Sequence, residues 1–332
     1  MRKLGVGRSL SAPSVIGAAS LLLLCSIALA VSLGSARLSP DRVFDGLFDT
    51  GDAAARQIVW NLRLPRVLVA ALVGANLSLA GVLLQGVTRN PLAGPHVLGL
   101  SGGAGFAAIT VVVAAPGTPV QFVAPAAFIG AIGAAIVVYG LAWRGGISPV
   151  RFALAGVATA ALFIALSTAV LASSDLFTQS VLSFLAGGLF ARDWDDARQI
   201  APYTILIGSG AVIAAGTLNV LALGDDVARG LGMRVERTRL LLVVFAAGLT
   251  GSAVAVSGML AFVGLVVPHA ARLLVGSDHR VSAPLAALLG ASLMVLADIV
   301  ARLVIAPAEI PVGIVTAVVG APVFLLLIRT RT

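Results

Sequence analysis

Charge is scarce in this chain: 11% of its 332 residues are Asp, Glu, Lys or Arg, against roughly 25% in soluble domains. Hydrophobic residues make up 59%, and the mean hydropathy is +1.07. There is too little polar surface to cover a fold in water, so the bilayer is the solvent. The single cysteine, Cys25, excludes an internal disulfide and any cysteine-ligated metal cluster. The only lysine is Lys3, so no Walker A loop can form and no membrane lysine can hold a retinal. None of the three histidines belongs to an HExxH pair, and no cofactor or metal is expected. Acids are nearly missing from the apolar runs. Asp298, one turn from Arg302, is the only one well inside an expected crossing. It reads as half of an i, i+4 ion pair, which gives an ion-coupled secondary transporter little to work with.

What is present is a series of continuous apolar runs rich in Ala, Leu and Gly. A transmembrane β-barrel needs alternation instead, so helices are expected. A span needs about 20 apolar residues. Suitable runs lie near 13–34, 64–85, 97–115, 120–142, 152–172, 200–222, 239–257, 283–304 and 311–328. A shorter one near 259–274 is interrupted by Pro268. The expectation is an all-α polytopic membrane protein of about ten transmembrane helices, residues 1–332 forming one transmembrane domain. The bulky leucine before Cys25 is wrong for a lipidation site and the first run is long for a cleaved signal, so it reads as a retained first helix.

The net charge of +8 comes from arginines scattered between apolar runs. They serve as orientation signals and do not form a nucleic-acid face. Arg2, Lys3, Arg8, Arg89, Arg144, Arg151, Arg229, Arg234, Arg237, Arg239, Arg280, Arg329 and Arg331 fall on one side, taken as cytoplasmic. Asp41, Asp45, Asp49, Asp52, Asp175, Asp193, Asp195, Asp196 and Glu309 fall on the other. Both termini are then cytoplasmic.

Three stretches depart from the pattern. Residues 173–199 contain SVLSFLAGGLF, too short to span and expected as a re-entrant or surface helix on the outer side. Residues 223–238 are the most polar inner segment. There Asp225 and Asp226 suit a helix start, Val227 and Leu231 share a face, and Gly230 and Gly232 suit its end. A solvated loop and a docking helix are both compatible with that pattern. The third, RNPLAGPHVLGLSGGAG from Arg89 to Gly105, places prolines and glycines between two apolar runs. Its Gly-Leu-Ser-Gly could suggest a serine nucleophile at Ser101, but no histidine is suitably placed, and small residues commonly let membrane helices approach.

RLPR (Arg63–Arg66), GANLSLAGVLLQ (Gly74–Gln85), the Arg89–Gly105 stretch and LGDDVARGLG (Leu223–Gly232) occur in this order. After them come GMLAFVGLVVPHAARLLVGSDHR (Gly258–Arg280), ADIVAR (Ala297–Arg302) and EIPVGIVTAVVGAPVF (Glu309–Phe324). Together they resemble the permease subunits of ABC importers for iron–siderophores, haem and cobalamin. The resemblance implies the type II importer fold of ten helices and no enzymatic activity in this chain. It also implies a second permease subunit (identical or not), two separate ATP-binding subunits, and a periplasmic or lipid-anchored substrate-binding protein, all at a bacterial inner membrane. An iron–siderophore is the first expected cargo, then haem or cobalamin.

The resemblance also carries over site residues. Asn90 and Leu92 match a cytoplasmic gate, with Gly145, Gly146, Ile147 and Ser148 as a looser second element. Gly224, Asp225, Asp226, Val227, Ala228, Arg229, Leu231 and Gly232 match the segment that couples to the ATPase. Arg63, Arg66 and Arg302 match outer arginines that receive the binding protein. No residue is expected to be catalytic.

Overall fold

The computed structural model describes residues 11–34, 38–48, 52–115, 117–118, 120–143, 148–173 and 184–329. Arg2, Lys3, Arg8, Asp49, Arg144, Gly145, Gly146, Ile147, Asp175 and Arg331 lie outside them, as do 180–183 of the short outer run.

No strand occurs among the described residues. The helices are α1 (Ala12–Ser32), α2 (Pro40–Phe48), α3 (Ala53–Thr88), α4 (Leu100–Ala114), α5 (Val120–Ala142), α6 (Pro149–Ala172) and α7 (Trp194–Ala214). After them come α8 (Gly216–Ala222), α9 (Asp225–Gly230), α10 (Val235–Ser257), α11 (Val263–Val275), α12 (His279–Leu303) and α13 (Val312–Arg329). Among the described residues six helices are long and apolar enough to cross a membrane, and α7–α8, bent by 41°, makes a seventh if the pair is one span. Three shorter apolar helices, α4, α11 and α13, stand where the remaining crossings were expected.

Several helices begin earlier than their apolar runs. α10 starts at Val235 without a side-chain cap and α12 at His279, where Asp278 accepts from the Arg280 N–H; a helix can continue into polar surroundings once side chains or water satisfy its first turn. α7 shows how: Asp193 accepts from the backbone of Asp195 and Asp196, while the Asp196 carboxylate accepts from the Asp193 N–H, a capping box six residues ahead of the apolar run. α3 extends back to Ala53 through a wide-turn stretch, Gln57–Arg63, just before Pro65. A wide turn reroutes the bonding that proline, lacking an N–H, cannot supply.

The burial of each span sorts the bundle. In α3, α10 and α12 the apolar window is 83, 78 and 61% buried, against 28–33% in α1, α5 and α6. α3 is therefore the central rod. It packs on α10, α11 and α12, while α1 lies against α12 and α4 joins α5 and α6. Close approach is set by glycine: a Cβ on Gly74 would meet the carbonyl of Gly290, and one on Gly81 the carbonyl of Gly264. Gly264 O is also the carbonyl left without its helical donor by Pro268, so α11 runs through the proline with that oxygen turned onto α3.

The last part of the short apolar run 180–190 is inserted among helix ends. Met259 N–H donates to Phe184 O at 3.1 Å, Gly188 N–H to Ser257 O at 2.8 Å and Gly313 N–H to Gly187 O at 2.9 Å. Backbone bonds of this kind satisfy an irregular segment at depth.

Gly81→Val should lower the melting temperature of the detergent-purified protein by the equivalent of ~1–3 kcal/mol, the usual cost of overpacking. Gly133→Ala, whose added methyl meets open space, should not lower it.

Candidate functional site

The stretch following α3 is built by its own side chains. Arg89 caps α3 in the left-handed region at φ 49°. Asn90 N–H then donates to Gln85 O at 3.1 Å, and Leu92 N–H to Asn90 Oδ1 at 2.9 Å. An asparagine closing its own turn ahead of a proline cannot continue a helix. Leu92 is left 42% exposed at the tip, and Asn90 is half-buried. Beyond it the chain stays irregular to Gly99, with Pro95 against Gly264 and Leu98 against Gly156. This backbone is tolerated because it is enclosed by protein. Ser101 is buried, and among the described residues no group bonds its Oγ, so no nucleophile–base pair forms there among them. Gln85 anchors the turn from behind, donating to Leu265 O at 3.1 Å and accepting from Arg272 at 2.6 Å.

The segment after α8 meets this turn directly. Gly224 (φ 109°) lets the chain reverse, α9 follows, and Gly232 (φ 82°) releases it towards α10. Asp225, the first residue of α9, accepts from Arg89 and from Arg239 Nη2 at 2.7 Å. Arg89 Nε also donates to Leu221 O at 2.9 Å. One carboxylate thus joins the end of α3, the start of α9 and the first turns of α10. Burial pushes the Asp225 carboxyl up, but the hydrogen bonds and charges of Arg239 and then Arg89 outweigh it and hold the group below the usual carboxylate range. Ala228 is buried beneath α9, whereas Leu223, Val227 and Leu231 stand 60, 51 and 66% exposed. Asp226 and Arg229 pair at 3.1 Å beside them. Ser148 starts α6 without a side-chain cap.

At the opposite end of α3, Arg63, Arg66 and Arg302 converge. Asp298, 1% exposed, accepts from Arg66 Nη2 at 2.8 Å and from Arg302 Nε at 3.1 Å. Arg66 Nη1 continues to Glu309 at 2.8 Å. Arg63 donates to Val31 O at 2.7 Å and Ser32 O at 2.8 Å, and Arg302 to Ala30 O and Leu33 O, both at 3.3 Å. The last carbonyls of α1 are thereby capped by cations, which also suit the negative end of its dipole. The i, i+4 spacing showed the Asp298–Arg302 contact. Arg66 and Glu309, 232 and 243 residues from their partners, carried no local signal. Arg89 and Arg239 were legible only as orientation signals, although Arg89 opens the RNPLAGPHVLGLSGGAG stretch.

With this geometry in place, comparison with known proteins is specific. The model of the FecCD transport family matches residues 21–330. The Fe(3+)-citrate import system permease protein YfmE of Bacillus subtilis is 38% identical over 94% of this chain and 93% of its own length. The cobalamin import system permease protein BtuC of Halobacterium salinarum is 42% identical over 83% of this chain and 74% of its own. A solved structure described as an inward-facing conformation of a metal-chelate type ABC transporter superposes with a TM-score of 0.86 at 30% identity. It covers 96% of this chain and 99% of that one.

Asp298→Asn should destabilise the fold by about 3–5 kcal/mol, since it leaves two buried guanidinium groups facing each other without their shared counter-charge. Thermal unfolding in detergent measures this. For Asp225 the folded-state pKa is lowered, so its contribution is present above the unfolded value and is lost as pH falls through the folded one. A spin label at Leu231, in a Cys25→Ser background, should therefore keep one mobility from pH 7 to about 4 and loosen only below that.

Proposed function

The chain belongs to the FecCD transport family, and from that premise we propose that it forms the membrane passage of an ATP-driven importer for a metal chelate, with an iron–siderophore as the first choice. It is a multi-pass transport permease. The relatives named above serve iron citrate in one case and cobalamin in another, so family membership leaves haem and cobalamin as alternative cargoes. The proposed surroundings are a bacterial inner membrane with both termini cytoplasmic, a second permease subunit, two ATP-binding subunits, and a substrate-binding protein outside.

The observation that carries the ATP-driven reading is α9. Its apolar side chain Val227, with Leu223 just before it and Leu231 just after, is exposed on an otherwise polar segment. Exposed apolar groups rimmed by charge suit a protein partner. In the proposed mechanism the ATPase grips Gly224–Gly232, and nucleotide binding and hydrolysis move it between two positions. Asp225 passes that displacement to Arg89 and so to the Asn90–Leu92 turn, which opens and closes the cytoplasmic mouth. Gly145–Ser148 is proposed as the second lip of that gate. The permease makes no bond to its cargo; it is a bistable element biased by ATP and by the loaded binding protein.

For the outer face, Arg63, Arg66 and Arg302 are 5, 9 and 4% exposed, and their donors turn into the chain. We propose that they serve docking by fixing the rim of α1, α3 and α12 on which the binding protein lands. Charge near such a rim governs orientation and on-rate more than affinity.

Val227→Asp with Leu231→Asp should abolish co-purification of the ATP-binding subunit and ATP-dependent uptake in proteoliposomes, while leaving the melting temperature of the isolated permease within about 2 °C, as for exposed substitutions generally. Undiminished co-purification would remove α9 as the docking element.

A further inference from the structure

We propose that the cleft between α5 and α10 is a binding site for one anionic phospholipid in the leaflet at the Arg89 end of the bundle. The cleft has a volume of about 280 Å³ and is lined by Ile132, Ile136, Gly140, Leu240 and Val244, with Tyr139 at one end. Ile136 is 66% and Val244 40% exposed, so it opens sideways from the bundle, towards acyl chains. Neither flanking helix closes it, because Gly140 has nothing within reach of an added Cβ.

The polar end of the cleft is defined independently. Tyr139 donates to Glu236 O at 3.2 Å, which places the last turn of α5 beside the first turn of α10. Trp143 stacks on Tyr139 with ring centroids 5.9 Å apart and is 47% exposed. Aromatic rings of this kind sit at headgroup level. Arg237 lies three residues before Leu240 and seven before Val244, on the same stripe of α10 that lines the cleft. It is exposed, and no carboxylate pairs with it among the described residues.

The carboxylate nearby does not cancel this charge. Glu236 lies 3.8 Å from both Arg229 and Arg239, two cations that already face it. No side chain caps the start of α10, so its positive end adds to Arg237. An apolar slot, an aromatic collar and an unpaired cation in line match an acyl chain, a glycerol backbone and a phosphate. The charge favours an anionic headgroup over a zwitterionic one. This inference needs only that the chain spans a membrane; it stands or falls apart from the import reading.

The test uses Trp143 as the reporter. Trp60 and Trp194 pack on each other at the other end of the bundle, and Phe at both leaves a single tryptophan. In phosphatidylcholine nanodiscs, phosphatidylglycerol with brominated acyl chains should quench Trp143 about five-fold more effectively than brominated phosphatidylcholine at equal mole fraction, the factor expected of one basic residue at a lipid surface. Arg237→Ala should remove the preference, and Gly140→Leu, which fills the slot, should weaken quenching by both lipids. Equal quenching by the two lipids, or a preference that survives Arg237→Ala, would overturn the proposal. Protection of Trp143 from both lipids by a bound ATP-binding subunit would give the cleft to that protein instead.

Discussion

A carboxylate with almost no access to water, Asp298, sits between two guanidinium groups, and the end of the bundle is organised around it. Removing a charge from water costs several kcal/mol per ion, repaid only by close and well-hydrogen-bonded partners. Arg66 and Arg302 supply both, at 2.8 and 3.1 Å. The consequence is geometric. Arg66 belongs to α3, Asp298 and Arg302 to α12, and the remaining donors of Arg302, with those of Arg63, close the carbonyl end of α1. Three helices are locked at one level by guanidinium groups that meet a carboxylate or carbonyls of a neighbouring helix.

From that fixed end, α3 carries the arrangement through the membrane. Its buried face is lined by small residues wherever α11 and α12 approach, so it behaves as a packed rod and not as a hinge. At its far end the rod terminates in Arg89, and the contact there is of another kind. Asp225 is partly open to solvent, is shared between two cations from different elements, and lies on a helix of six residues. The two ends of α3 thus differ in kind: the network at one is buried, the one at the other accessible to solvent.

The positions of the crossings were legible because the hydrocarbon core imposes one requirement on every span: about twenty residues whose backbone groups satisfy one another. Nine runs and a shorter tenth reappear as helices α1, α3–α8 and α10–α13. The boundaries were less legible, since a capping box such as Asp193–Asp196 or the wide turn before Pro65 starts a helix well outside the apolar run. Pro268 looked like an interruption, yet α11 passes through it because glycine on the neighbouring helix receives the freed carbonyl.

The sequence by itself settled the solvent, the helical class, the approximate spans and, through its ordered motifs, the family. Each follows from composition or from residues close along the chain. Only the tertiary structure decided the partners of the charges: that Asp298 answers to Arg66 as well as Arg302, that Arg63 caps α1, and that Asp225 binds Arg89 and Arg239 together. Those partners stand up to 232 residues apart. In a chain this short of charge, each ion's choice depends on which helices pack side by side, and no local spacing encodes that.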